Sequence, residues 1–213
     1  MELNPHDLLK LRDFDDLMGI STKPQWVDEV LEHSPLVVVR RSPFKNDRVP
    51  VGVRGKTRDQ RFAATILSNN IAKQITPEEL TANKVWRTNK HIRETEMFSA
   101  IELVDNVLAA SGLNWGPTGS LGFELASGMP TITNTSDLDI VVRVPNFLST
   151  KIAQQIVEKI TKVSVKVDIQ LETPNGSVAL FEYVRGNSKV LLRTINGPCL
   201  VTDPWTQEKK LEG

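Results

Sequence analysis

Residues 119–143 read Gly119-Ser120-Leu121-Gly122-Phe123-Glu124-Leu125-Ala126-Ser127-Gly128, then a mostly polar connection, then Ser136-Asp137-Leu138-Asp139-Ile140-Val141-Val142-Arg143. Asp137 and Asp139 stand two apart at the head of an apolar run, so in an extended strand both carboxylates leave the same face. Like charges side by side repel, and carrying them on a strand that leads into a core costs free energy. A doubly charged cation between them removes that cost, and two carboxylates with substrate phosphates are how a protein usually holds Mg²⁺. Upstream, Gly119-Ser120 before Glu124-Leu125-Ala126 predicts a turn into a helix N-terminus. There, backbone N–H groups and the helix dipole favour a phosphate. A phosphate cradle followed by a metal-binding pair of acids implies phosphoryl or nucleotidyl transfer. Either motif alone is weak, since ordinary surface turns supply both. Their order, feeding a β-branched strand, is what makes the signal specific.

The rest of the composition narrows the field. A chain of 213 residues is long enough for one large domain or two small ones. Its 26 basic and 26 acidic side chains balance, so no global field advertises a nucleic-acid or membrane partner. The N-terminal Met1-Glu2-Leu3-Asn4-Pro5-His6-Asp7 has neither the basic start nor the apolar core of a signal peptide. The longest apolar runs, such as Leu36-Val37-Val38-Val39, have the length of strands rather than membrane spans. One cysteine, Cys199, allows no internal disulfide and fits a reducing cytoplasm. With no zinc-like spacing of His and Cys, any metal is expected to be held by oxygen.

Periodicity then orders the chain as an α/β (α+β) protein. Residues 5–17 read as a short helix opening at Pro5, with Leu8, Leu9 and Leu11 towards a core. Within it, His6-Asp7 is either a functional pair or the ordinary electrostatics of a first helical turn. A second helix follows Lys23-Pro24, then strands at 36–41 and 49–55. Lys56 to Ala64 reads as a helix start and Ile66 to Ile75 as its continuation. That places Arg54, Arg58 and Arg61 at a strand end, a glycine turn and the first helical turns, with Arg58 and Arg61 on one face. Cations there oppose the helix dipole, and guanidinium forks suit phosphate oxygens, so the three form a candidate anion site; the alternative is a solvated basic face. Thr76-Pro77-Glu78-Glu79 is a capping box. The basic segment 83–91 reads as the passage between an N-terminal domain (1–86) and a catalytic domain (87–213). An amphipathic helix from Arg93 to Ser111, a helix from Leu148 to Ile160, and strands at 166–171 and 189–194 complete the second domain. Residues 177–183 fit helix and strand equally.

The Gly-Ser turn, helix and Asp-x-Asp strand resemble the signature of the polymerase-beta-like nucleotidyltransferases. That resemblance implies a mixed sheet flanked by helices and a third carboxylate on a neighbouring strand, for which Asp168 in Lys166-Val167-Asp168-Ile169-Gln170-Leu171 is the match. The alternative is a structural acid on a half-buried strand. A wider set of motifs covers nearly the whole chain: Pro50-Val51-Gly52-Val53-Arg54-Gly55 with Arg58, Gln60 and Arg61, Trp115-Gly116-Pro117-Thr118-Gly119-Ser120, Asn196-Gly197-Pro198 and Asp203-Pro204-Trp205. These are similar to the phosphoribosyl-dephospho-CoA transferases of malonate decarboxylase. What that likeness implies is transfer of the phosphoribosyl-dephospho-CoA part of triphosphoribosyl-dephospho-CoA to a serine of the apo acyl carrier subunit of malonate decarboxylase, with release of pyrophosphate. Asp137 and Asp139 would bind Mg²⁺, and Asp168 would hold a second metal or take the serine proton. Gly119 and Ser120 would hold the pyrophosphate end. Arg54, Arg58 and Arg61 are assigned to phosphates on their spacing alone. A nucleic-acid acceptor is disfavoured by the neutral charge balance. Arg87, Lys90 and Arg93 are a candidate docking patch for an acidic carrier.

Overall fold

The computed structural model describes residues 2–57, 59–186 and 188–206. Two six-stranded sheets follow one another along the chain. The first consists of β1 (Leu8–Leu11), β2 (Met18–Gly19), β3 (Leu36–Val39), β4 (Arg48–Arg54), β5 (Arg61–Leu67) and β6 (Ile71–Ile75), with one helix, α1 (Gln25–His33), between β2 and β3. Its order is β2-β5-β4-β3-β1-β6, antiparallel throughout. Period-two alternation sends Val49, Val51 and Val53 of β4 and Phe62, Ala64 and Ile66 of β5 into one core with Val27 and Leu31 of α1. Each fully buried side chain of this kind contributes about 1.5–3 kcal/mol.

The second half runs α2 (Pro77–Ala82), α3 (Lys90–Arg93), α4 (Glu96–Ala110), β7 (Asn114–Pro117), α5 (Gly119–Ser127), β8 (Leu138–Arg143), α6 (Thr150–Ile160), β9 (Val167–Thr173), β10 (Gly176–Ala179), α7 (Leu180–Tyr183), β11 (Val190–Thr194) and β12 (Gly197–Val201). The sheet order is β12-β11-β10-β9-β8-β7. Only β8 and β9 pair in parallel, and α6 makes the crossover a parallel pair requires. Leu138, Ile140 and Val142 of β8 and Ile169 and Leu171 of β9 bury one face against α4 and α6. The other face of the same strands turns towards the first sheet. Phe123 of α5 packs on Leu8 and Leu36, stitching the two halves together.

The α+β class and the mixed sheet agree with the sequence reading, and two helices of that reading are corrected. Residues 5–17 hold β1 rather than a helix, because Leu9 and Leu11 enter one core while Leu8 enters another, an alternation rather than a helical stripe. Between Lys56 and Ile75 the chain forms a hairpin partner and a further strand. Phe62, Ala64 and Ile66 alternate with half-exposed neighbours, and β5 pairs with β4 along its whole length. The helix from Arg93 begins instead at Glu96, after the separate turn α3. The ambiguous 177–183 is both elements in succession, strand to Ala179 and helix from Leu180. The capping box at Thr76 is formed with both reciprocal hydrogen bonds.

Candidate active site

Residues Asp139 and Asp168 are register partners across the parallel pair β8–β9. Both line a cavity of about 740 Å³ between the two sheets. Burial first, then the charges of Asp168 and Asp137, push the Asp139 carboxyl above the ordinary aspartate range, against an opposing pull from Arg54 and Arg61. The Gly-Ser bend abuts this acid. Gly119 opens α5 at φ +58°, and a Cβ built on it would stand 1.9 Å from Asp139 Oδ2. No side chain fits there, and glycine alone takes that conformation without penalty. Thr118 N donates to the Asp139 carbonyl at 2.8 Å, so turn and strand are tied by backbone as well.

Across the cavity, β4 and β5 supply the opposite charge. Arg54 and Arg61 stand directly opposite one another in the hairpin, a like-charge cross-strand pair whose charges also act on the Asp139 carboxylate. Arg54 Nη2 donates to Ser120 Oγ at 2.6 Å. Arg61 therefore reaches the site from a strand, not from the helix face that its spacing from Arg58 predicts. Arg58 lies outside the described residues. The structure thus gathers Asp139, Asp168, Gly119, Arg54 and Arg61 around one cavity, with Ser120 joined to it through Arg54. Asp137 is near enough to raise Asp139, while its own Oδ2 accepts from Lys166 Nζ at 3.0 Å.

Several participants went unseen in the sequence. Gln170 Nε2 donates to Asp168 Oδ1 at 3.1 Å, and Arg193 Nη1 of β11 donates to Gln170 Oε1 at 3.0 Å. The period-two offset of Gln170 from Asp168 was the available signal. Glu124, completely buried in α5, accepts from the backbone N–H groups of Thr131 and Ile132 at 2.7 and 2.9 Å and bonds His91 Nδ1 at 2.7 Å. It pins the return of the loop and so aims the Asp-x-Asp strand. Nothing local in the sequence marks it.

Whether these residues suit a divalent ion can be judged from their chemistry. Two adjacent carboxylates, one of them desolvated and repelled by the other, form the hard oxygen donor set that Mg²⁺ takes when substrate phosphates complete its shell. Among the described residues no three His, Cys, Asp or Glu side chains gather closely enough to enclose a metal unaided.

Farther along the same two strands the character changes. Arg143 and Glu172 are also register partners. Arg143 Nε lies 2.8 Å from Glu78 Oε1, and its Nη2 3.7 Å from Asp7 Oδ1. Glu172 Oε1 accepts from Arg41 Nη2 and lies 3.7 Å from His6 Nε2. His6-Asp7 thus belongs to a seam between the sheets.

Comparison with known proteins gives the family. The C-terminal domain model of phosphoribosyl-dephospho-CoA transferase MdcG matches residues 84–204, and the N-terminal domain model of the same family matches residues 4–77. A phosphoribosyl-dephospho-CoA transferase of Pseudomonas syringae pv. tomato is 40% identical, with 94% of this chain and 92% of that protein aligned. Those of Pseudomonas putida and Klebsiella pneumoniae strain 342 are 39% and 34% identical, covering 94% of each chain and 96% and 97%, respectively. No solved structure matches. No helix among the described residues is long and apolar enough to cross a membrane. This chain belongs to the phosphoribosyl-dephospho-CoA transferase family and is a transferase.

Proposed function

We propose that this enzyme moves the phosphoribosyl-dephospho-CoA part of triphosphoribosyl-dephospho-CoA onto a serine of the apo acyl carrier subunit of malonate decarboxylase, in the cytoplasm, releasing pyrophosphate. The observation that carries this reading is the juxtaposition of two like-charged rows across one cavity. Asp139 and Asp168 lie on one sheet, and Arg54 and Arg61 on the other. Like charges repel within each row, and the two rows attract one another across the cavity. A triphosphate with a divalent cation would carry the complementary charges to both. Mg²⁺, held by Asp139 and Asp168 with Asp137 beside them, would neutralise phosphate charge and so favour in-line displacement.

In that reaction the serine hydroxyl oxygen forms a bond to the phosphorus carrying the ribosyl group. The bond from that phosphorus to the bridging oxygen breaks, and pyrophosphate leaves with its electron pair. Asp168, oriented by Gln170 and Arg193, takes the serine proton. Arg54 and Arg61 grip the phosphates as planar forks, and Ser120 Oγ, already bonded to Arg54, is placed to donate to the leaving group. Arg87 of the suggested docking patch is held bidentately by Glu102 at 2.8 Å, leaving Lys90 and Arg93 as the stronger candidates for carrier contact.

The direct test mixes the purified enzyme with triphosphoribosyl-dephospho-CoA, Mg²⁺ and apo carrier, then follows pyrophosphate and the mass of the carrier. The expected result is one added phosphoribosyl-dephospho-CoA per carrier, abolished by metal chelation. Labelling of a citrate lyase carrier or of RNA in preference to this carrier would overturn the proposed acceptor.

A further inference from the structure

The arginine row accounts for only one end of the cavity. Next to it on the first sheet lies a flat patch that no phosphate contact explains. Val38, Gly52 and Ala63 stand directly opposite one another across β3, β4 and β5. All three are half-exposed, although they sit in interior strands whose alternate residues Val39, Val51 and Ala64 are buried. With strands about 4.8 Å apart, the row is about 10 Å wide. A glycine inside a strand costs about 0.5–1 kcal/mol relative to alanine. Inside a strand it often marks a bulge, a bend, or the close approach of a ligand or another backbone, and the unbroken register on both sides of Gly52 shows no bulge. The nearest atoms to a Cβ built on Gly52 are Val38 Cγ1 at 3.3 Å and Arg40 Cδ and Cγ at 3.5 and 3.6 Å.

We infer that this row is the floor on which the nucleobase of the donor lies flat. The argument is one of shape and continuity. A planar two-ring heterocycle matches a smooth, apolar floor three strands wide, which side chains of ordinary size would break up. The stem of Arg40 borders Gly52, and its guanidinium is in reach of the ring face, where a planar cation stacks well. Arg54 and Arg61 are two positions farther along their strands from Gly52 and Ala63, about 6.7 Å, so floor and arginines share one face of the sheet and the donor's two sugars would bridge them. Leu8, Leu36 and Phe123 close the apolar side of the same cavity. The first sheet then has its own task, holding the nucleoside while the second sheet presents the carboxylates.

This inference rests on the transferase reading, and binding measurements separate the two. Three probes are titrated calorimetrically with Mg²⁺ into wild type, Gly52→Leu and Ala63→Val: dephospho-CoA, phosphopantetheine and inorganic tripolyphosphate. Thermal unfolding checks each variant, and Ala63→Val carries the test if Gly52→Leu does not fold. Expected is a loss of dephospho-CoA affinity of about tenfold or more for Gly52→Leu, as stacking loss implies, and a smaller loss for Ala63→Val. Tripolyphosphate and phosphopantetheine should bind unchanged. Equal dephospho-CoA affinity in folded variants would overturn the base site. So would a matching loss for phosphopantetheine, which would give the floor to the pantetheine arm. Failure of wild type to bind tripolyphosphate would instead overturn the transfer reading, and the base site with it.

Discussion

Four residues apart on the same two strands lie two rows of charge that solve opposite problems. Asp139 and Asp168 are alike and adjacent, Asp139 is desolvated, and the charges of Arg54 and Arg61 offset their repulsion only in part. Arg143 and Glu172 are unlike, and each has a partner from the first sheet's half of the chain: Asp7 for the arginine, which also pairs with Glu78 of α2, and Arg41 and His6 for the glutamate. The second row holds the sheets together. In the first, burial and Asp168 raise the Asp139 carboxyl beyond what Arg54 and Arg61 offset, and the net repulsion that remains suits a cation between the acids. Neighbouring positions in one scaffold therefore separate a site from a seam by whether their charges are balanced.

The sharpest way to break the contrast is to neutralise one row at a time. Asp139→Asn or Asp168→Asn removes a charge at nearly constant size. Several kcal/mol of transition-state stabilisation should go with it, a fall in turnover on the order of a thousandfold. Because the lost charge was repelled, the unfolding midpoint should hold or rise. Steady-state kinetics with thermal denaturation checks both halves, and near-normal turnover would remove the acids from the mechanism. Glu172→Gln should do the reverse. Glu172 is only 8% exposed, and its loss leaves Arg41, itself largely buried, without its carboxylate. Breaking such a pair costs about 3–5 kcal/mol when fully buried, and somewhat less here. Urea denaturation should register that loss while turnover at saturating substrate changes far less.

A subtler effect concerns protons. Since Asp139 titrates above the usual aspartate range, its charged form is lost at a higher pH than that of an isolated aspartate, and cation binding should weaken there too. The sign for stability follows: the folded state binds this proton more tightly than the unfolded chain, so this residue's contribution grows as pH falls through the raised value. Removing the neighbour takes away the second cause of the rise and leaves the burial. In Asp168→Asn the Asp139 carboxyl, followed by ¹³C NMR, should titrate at lower pH than in wild type, and an unchanged titration would show that Asp168 does not face it.

Half of the acid row has a local logic: Asp139 stands out with Asp137 at period two in front of Ile140-Val141-Val142, whereas Asp168 is singled out only by the family resemblance, and its pairing with Asp139 comes from the parallel register. Its basic counterpart was half legible. Arg54 and Arg61 were singled out, but as a strand end and a helical face, since Arg61-Phe62-Ala63-Ala64 carries residues that tolerate either state. What made it a strand was β4, whose seven residues pair with β5 along their whole length. Helix propensity at alanine is a weak prior beside a full ladder of hydrogen bonds. The seam escaped altogether. Arg41 and Glu172, or Asp7 and Arg143, meet only because two sheets dock, and nothing about either partner's surroundings in the sequence announces the other.

The smallest expected effect lies in that seam. His6 is pushed down to about 4, by burial first and then by the cations Arg41 and Arg143. It is therefore neutral in the folded protein at every ordinary pH, while in the unfolded chain it takes a proton near 6.5. Above that value the shift changes nothing. Between about 6.5 and about 4 the unfolded state gains a proton that the folded state refuses, so stability falls as pH drops through that window. His6→Asn keeps a polar side chain that does not titrate, and asparagine tolerates the positive φ of 78° found here. Its stability curve should be flatter than the wild-type one between pH 6.5 and 4 and parallel to it above. A wild-type curve no steeper than the variant's would mean that His6 takes its proton inside the seam, making Glu172, 3.7 Å away, a stronger partner than the two arginines are opponents.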